Sequence, residues 1–400
     1  MKDEKQIEKD LDQNFIFYRK EKNEMQLTKI RTEIDLNRLR IKVYRHFIDS
    51  IIWVLFGGRR ELIARFTTEL DTNFSIDDEG FLSSVEYVKS INTDPLKIAI
   101  LTDLSINVHI GDVIILSDKE RQIVELKSGE QNMIAQEMFN FYEVNELDPK
   151  TRIANLDDKK FKTQMERMHK QKEKMSKLVN LLETGKGKHP KNDNQTVTIH
   201  DSFYQEETFH DTILKLNSDS KAKKWAYDCI DGMVHIGVYR EEWRFNMGKE
   251  TITKANNNFP VHDIRMCMDI LAEPLFCKPF PDEMIMDILT GKVLIFLGIN
   301  YDALMDWYNL FSETSIRWTT RKELHQFRDD KTINISGIVT HDHKAIIHQL
   351  TPSLTGFIGY GLVFRILLDH NKPRIQIMNR IIVDNKKIEE KSINTPTPDD

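Results

Sequence analysis

What the chain has least of narrows its class first. Its three cysteines, Cys229, Cys267 and Cys277, form no C-x-x-C pair and leave one over. That excludes a disulfide framework and a cysteine-ligated zinc site, and it fits a reducing, cytoplasmic compartment. No apolar run approaches the roughly 18 to 20 residues that span a bilayer. The densest, from Phe47 to Phe56, already holds Asp49, so no membrane partner is expected. The opening M-K-D-E-K-Q-I-E-K-D lacks the apolar core of a signal peptide and the acid-poor character of a transit peptide. No repeat of solenoid period appears. The formal net charge of -6 excludes a chain that is basic throughout, although a global sum hides local patches.

What is present is a globular composition, 40% hydrophobic and 30% charged, in 400 residues, enough for two or three domains. Residues 1–40 carry apolar residues at helical spacing without Gly or Pro and read as a helical arm. The helical pattern continues from Tyr44 to Phe66, broken at Gly57-Gly58. After a short helix near Leu82 to Ser90, the run L-K-I-A-I-L-T-D-L behind Asp94-Pro95 reads as a strand. Two more apolar runs within Gly111 to Gly129 read as a hairpin, and Asn132 to Val144 returns to helical spacing. Together these make a domain over residues 41–150.

Residues 151–190 read as a long helix, 157–185, stopped by Gly185, with a Gly- and Lys-rich linker after it from Gly185 to Thr196. From Lys159 to Lys188 there are ten Lys or Arg against three Glu, an excess suited to phosphate. A solvated helix face that carries lysines for solubility has the same composition. Residues 191–390 mix strand-like runs, P-R-I-Q-I-M-N-R-I-I-V among them, with helical ones and read as an α+β domain. Residues 391–400 have the composition of disorder.

Three charges in the hairpin are misplaced for an ordinary strand: Asp112, Glu125 and Lys127. With Asp118 to Arg121 as the turn, Ser117 faces Gln122 and Asp112 faces Lys127. Period-two alternation then puts Glu125 on the same sheet face, while Val113, Ile115, Val124 and Leu126 point into a core. Two close carboxylates repel each other unless a cation sits between them. A hard divalent ion with oxygen ligands relieves that repulsion. It also lowers the pKa of a bound water and neutralises charge developing on a phosphoryl group, with the ammonium beside it. Such a trio suits phosphodiester hydrolysis. An exposed hairpin with salt-bridged edges would carry the same residues.

G-D-V-I-I-L, twelve intervening residues between Asp112 and Glu125, and V-E-L-K-S-G resemble the signature of the PD-(D/E)XK, or restriction-endonuclease-like, nuclease superfamily. The resemblance covers about residues 41–150, with Gly111 standing where Pro would. It implies an α/β fold with an α-β-β-β-α-β core, here preceded by helices and followed by a long basic helix and a C-terminal α+β domain. It further implies Asp112 and Glu125 as ligands of Mg2+ or Mn2+, with the carbonyl of Leu126 often a third, and Lys127 as the catalytic lysine. Members also use an acid on the first helix, for which Asp49 is the choice and Glu61 the rival. They use a Gln after the lysine strand as well, for which Gln136 is the choice and Gln131 the rival.

The activity implied is endonuclease cleavage of nucleic acid, DNA first, and the layout is similar to that of stand-alone nucleases of bacterial genome defence. A homodimer would suit double-strand cutting. The C-terminal domain would recognise substrate or hold a partner protein. A non-catalytic nucleic-acid-binding or assembly protein with a degenerate nuclease fold is the alternative. Weaker signals are His341 and His343, which lack a third zinc ligand; the loop Gly356 to Gly361, which has no Walker lysine; and the pairs His200-Asp201 and His210-Asp211, which nothing in the sequence brings together.

Overall fold

The structure, a computed structural model, describes residues 10–16, 24–66, 79–108, 111–117, 121–124, 126, 134–135, 137–139, 141–142, 145, 147–189, 192–198, 205–241, 244–329, 337–351 and 354–393. It is a mixed α/β chain with small antiparallel sheets. It divides into two compact units, Met1–His200 and Asp201–Asp400. Among the described residues no helix is long and apolar enough to cross a membrane.

The first unit begins with a helical segment at residues 10–16 and the helix α1 (Glu24–Leu55). Because α1 runs without a break through residues 40 and 41, the arm and the first core helix are one element. It buries Leu27, Ile30, Ile34, Ile52 and Trp53 and stops at Gly57 and Gly58, both with positive φ. After α2 (Arg60–Phe66) and α3 (Glu79–Ile91) comes a sheet of three antiparallel strands: β1 (Lys97–Leu101), β2 (Val113–Ser117) and β3 (Arg121–Val124). Helix α3 lays Phe81, Val85, Val88 and Ile91 over Ala99, Leu101, Val113 and Ile115, and Val124 and Leu126 pack against the same cluster. Those are the inward positions that the alternation predicts.

The register differs from the expected one. Gln122 faces Ile115 rather than Ser117, and Val113 faces Val124, a displacement of two residues. The observed pairing sets Val113 against Val124 and Ile114 against Ile123, β-branched residues directly opposite one another. A displacement of two keeps every side chain on its face, whereas one residue would have reversed them all. The turn residues 118–120 lie outside the described residues. Among the described residues this sheet has three strands, without the fourth that the α-β-β-β-α-β order would require.

The described residues between 134 and 142 are helical. Ala135, Phe139 and Tyr142 form a second core with Ile153 of α4 (Pro149–Ala154) and Met165 and Met168 of α5 (Lys159–Thr184). Helix α5 starts where Asp158 accepts the amides of Lys160 (2.8 Å) and Phe161 (3.2 Å). It ends where Gly185 takes φ 69°. The linker expected next is instead a two-stranded hairpin, β4 (Lys186–His189) and β5 (Asn192–Thr198). It carries almost no apolar signal because it is a polar hairpin set against α5. The Thr184 hydroxyl donates to the Lys186 carbonyl at 2.6 Å and accepts from its amide at 3.2 Å.

In the second unit, helix α6 (His210–Lys223) precedes the hairpin of β6 (Trp225–Ile230) and β7 (Val234–Arg240). Then come α7 (Arg244–Ala255), β8 (Val261–Asp263), α8 (Asp282–Leu289) and β9 (Val293–Ile299), giving an antiparallel sheet of order β6-β7-β9-β8. All seven residues of β9 are buried, as a central strand covered on both faces requires. A second sheet follows, β10-β12-β11 with β13 also on β12. It is built from β10 (Ser315–Trp318), β11 (Thr340–His341), β12 (Lys344–Thr351) and β13 (Leu354–Phe357), with α9 (Tyr301–Phe311) before β10 and α10 (Arg321–Asp329) after it. Helices α11 (Tyr360–Leu367) and α12 (Pro373–Ile393) close the unit.

Helix α12 corrects the strand expected over 373–383 and takes in the first three residues of the tail expected over 391–400. Residues 391–393 are its last turn, and 394–400 lie outside the described residues. The run is rich in Ile, yet its buried positions are Gln376, Ile377, Ile381 and Asp384. That spacing is a helix's, and Pro373 stands at the first position, where proline is tolerated.

Candidate functional site

The hairpin's charged end is built around Gly111 and Asp112. Gly111 has φ +63°, and a Cβ there would lie 2.7 Å from Ile123 Cγ2 and 2.9 Å from the Val124 carbonyl oxygen. Proline, whose ring fixes φ near −65°, cannot occupy this position. The turn is pinned from β1's end. Thr102 donates its hydroxyl to the Gly111 carbonyl at 2.5 Å and its amide to the Asp112 carbonyl at 3.1 Å.

Across the hairpin, the Asp112 amide donates to the Val124 carbonyl at 2.8 Å, and the Leu126 amide donates to Asp112 Oδ2 at 2.5 Å. The Asp112 carboxylate therefore touches the backbone of the middle residue of Glu125-Leu126-Lys127. Glu125, Lys127, Gln136 and the rival Gln131 lie outside the described residues. Among the described residues no group of three or more His, Cys, Asp or Glu is arranged to hold a metal ion.

Asp49 is buried in α1, and its partners are in the loop after β1. Its Oδ1 accepts from the Ser105 hydroxyl (2.5 Å) and the amides of Ile106 (3.1 Å) and Asn107 (3.3 Å), while Oδ2 accepts from Ile106 at 3.3 Å. Burial pushes its carboxyl up to about 6, against these hydrogen bonds and the nearby Arg45, which favour the charged form. Arg45, one turn earlier, donates to the Ser105 carbonyl at 2.6 Å. Burial lowers its guanidinium from the ordinary value, opposed by Asp49 and Asp103.

Helix α1 thus holds the loop that leads from β1 toward Gly111, with one side chain on a carbonyl and another on three donors. The sequence reading missed Arg45 and Ser105. The signal for Arg45 was its place four residues before a buried acid, which sets both side chains on one helix face. The rival acid, Glu61, lies in the first turn of α2.

The weaker signals resolve differently. His341 ends β11 with its ring against Phe259, centroids 4.8 Å apart, and His343 follows in a turn with φ 59°. His210 opens α6, its ring 5.0 Å from that of His370. His200 and Asp201 lie outside the described residues. Compared with family models, curated proteins and solved structures, the chain matches none.

Proposed function

We propose that the first unit is a metal-dependent nuclease of restriction-endonuclease-like type that hydrolyses phosphodiester bonds of nucleic acid, DNA first. The observation that carries this reading is the contact between the Asp112 carboxylate and the Leu126 amide, which brings the acid of the first run to the E-x-K triplet of the second. The register supports it. On the described ladder, even-numbered residues of β2 share a face with odd-numbered residues of β3. Glu125 and Lys127, if they keep that alternation, fall on Asp112's face and away from the core of Val124 and Leu126.

In this proposal Asp112, Glu125 and the Leu126 carbonyl hold Mg2+ or Mn2+, all of them the hard oxygen donors such ions take. The metal supplies a more acidic water and neutralises charge on the phosphoryl oxygens. Lys127 holds the attacking water and stabilises the pentavalent transition state through its ammonium, with Gln136 as a second polar group. Asp49, already engaged by donors from residues 105–107, is assigned to positioning: it fixes the loop before Gly111 rather than binding metal.

The test is incubation of the purified protein with plasmid DNA and with RNA, in Mg2+ or Mn2+ and in EDTA. We expect metal-dependent cutting, reduced by about 10²-fold or more in Lys127→Ala and in Glu125→Gln. Equal cutting by Lys127→Ala and wild type, or none with either metal, overturns the proposed site. Binding without cutting would favour the non-catalytic reading.

A further inference from the structure

Thr102 follows the last residue of β1, is fully buried, and has every polar group engaged. Its amide donates to the Asp112 carbonyl at 3.1 Å and its hydroxyl to the Gly111 carbonyl at 2.5 Å, while its own carbonyl accepts from the Ser105 amide at 2.9 Å. Valine has the same shape, suits a strand end and buries no polar atom. A hydroxyl, by contrast, is costly to bury unless it is hydrogen-bonded. What distinguishes threonine here is therefore the bond to Gly111.

That bond acts on the backbone of Asp112. Glycine restricts its own dihedrals little, so the peptide joining Gly111 to Asp112 is fixed by hydrogen bonds: the Thr102 hydroxyl holds its carbonyl, and the Val124 carbonyl holds its amide at 2.8 Å. The next peptide plane is held through the Asp112 carbonyl by the Thr102 amide. Two planes that flank a Cα set the direction of its Cα–Cβ bond. The carboxylate carried on that bond then accepts from the Leu126 amide at 2.5 Å. Thr102 also ties this turn to α1. Ser105, fully buried, donates its hydroxyl to Asp49 at 2.5 Å, and its carbonyl accepts from Arg45 at 2.6 Å. A continuous series of hydrogen bonds thus runs from α1 through Ser105 and Thr102 to the backbone of Asp112.

We propose that Thr102 is a positioning residue for Asp112, its hydroxyl holding the Asp112 carboxylate aimed at the middle of Glu125-Leu126-Lys127. The proposal rests on the nuclease reading for the cation that this carboxylate meets, and it adds what keeps the ligand in place beforehand. Metal ligands need such support, because a group left loose behind its first contacts misses the productive geometry. Thr102 itself stands behind the ligand, bonded to its backbone.

The test compares, in the full chain, Thr102→Val, which keeps the shape and removes the hydroxyl, with Thr102→Ser, which keeps the hydroxyl and removes a buried methyl group. Two readouts need no cutting. In metal-free protein, hydrogen exchange at the Leu126 amide reports whether Asp112 still reaches it. Exchange should quicken about fivefold or more in Thr102→Val and stay near wild type in Thr102→Ser. The electron paramagnetic resonance signal of free Mn2+ reports metal binding, which should weaken about tenfold or more in Thr102→Val and stay near wild type in Thr102→Ser.

Urea midpoints should fall in both variants, in Thr102→Ser because the lost methyl leaves a cavity. A residue that served stability alone would therefore affect both readouts alike in the two. Leu126 exchange in Thr102→Val equal to wild type, or quickened as much in Thr102→Ser, overturns the proposal. If wild type neither binds Mn2+ nor cuts, the nuclease reading fails, and Leu126 exchange still decides whether Thr102 holds Asp112. If wild type cuts and Thr102→Val matches it in both readouts, the reading stands and the role of Thr102 fails.

Discussion

At Gly111 the backbone takes φ +63°, and the space a methyl group would need is occupied by the Val124 carbonyl at 2.9 Å. An L-residue there costs about 1–2 kcal/mol from the left-handed conformation alone. The clash adds to that, because a ladder carbonyl cannot swing aside as a side-chain end can. Gly111→Ala should therefore destabilise the protein by about 2 kcal/mol or more, read as a lower urea midpoint with an unchanged slope. A loss below about 0.5 kcal/mol would show the turn to be softer than its geometry. The sequence showed that a glycine precedes Asp112 but not why, since positive φ and close approach are properties of the pairing rather than of the residue. The same limit applies to Asp49. Its charge within an apolar helix was visible, whereas its partners lie in a loop more than fifty residues away.

Among elements, period was legible where burial followed it and misleading where composition did not. The inward face of the hairpin was read from alternation alone, and a two-residue error in register left it intact because parity survives. Helix α12 was missed because isoleucine raises strand propensity, although the burial of Ile377, Ile381 and Asp384 follows a helical period. Its position depends on partners that no local window contains. Asp384 accepts from Arg380 at 2.6 Å and lies 3.4 Å from His348 of β12, whose ring meets Tyr308 of α9 at 2.9 Å and Thr314 at 2.8 Å.

A second polar tie holds the corner after α11. The Lys278 side chain, fully buried, donates to Glu273 at 3.0 Å and to the Leu368 carbonyl at 2.6 Å. Lys278→Met takes the ammonium away from the half-buried Glu273, whose next partner among the described residues is the His210 ring at 3.6 Å. It should cost about 3–5 kcal/mol, while adding Glu273→Gln should restore much of that. Equal urea midpoints for the single and double variants would refute the pairing.

Across the whole chain the two units should answer acid in opposite ways. In the second unit, burial holds the imidazoles of His235, His262 and His370 below their ordinary value of 6.5; for His370 the nearby Lys278 and His210 act in the same direction. The unfolded chain therefore takes up these protons first as pH falls below about 6.5, and the folded unit loses stability over that window. In the first unit, Asp49 is raised to about 6 from 3.8. Its folded form binds the proton first, so its contribution grows as pH falls through about 6 toward 3.8. Glu273 and Glu323 are held below their ordinary 4.5, so any stability they confer is lost only under more acid conditions. The interval between about pH 7.5 and pH 5.5 therefore covers the range in which these three histidines protonate in the unfolded chain and Asp49 protonates in the folded one. Hydrogen exchange, corrected for the intrinsic effect of pH, should show protection in β7 and β9 falling over that interval while protection in β1 and β2 holds or rises. His370→Asn keeps a residue that tolerates the φ of 58° found there and should flatten the loss in the second unit. Asp49→Asn should remove the gain in the first. Parallel pH responses in both units, or a second unit as protected at the lower pH as at the higher, would refute the assignment.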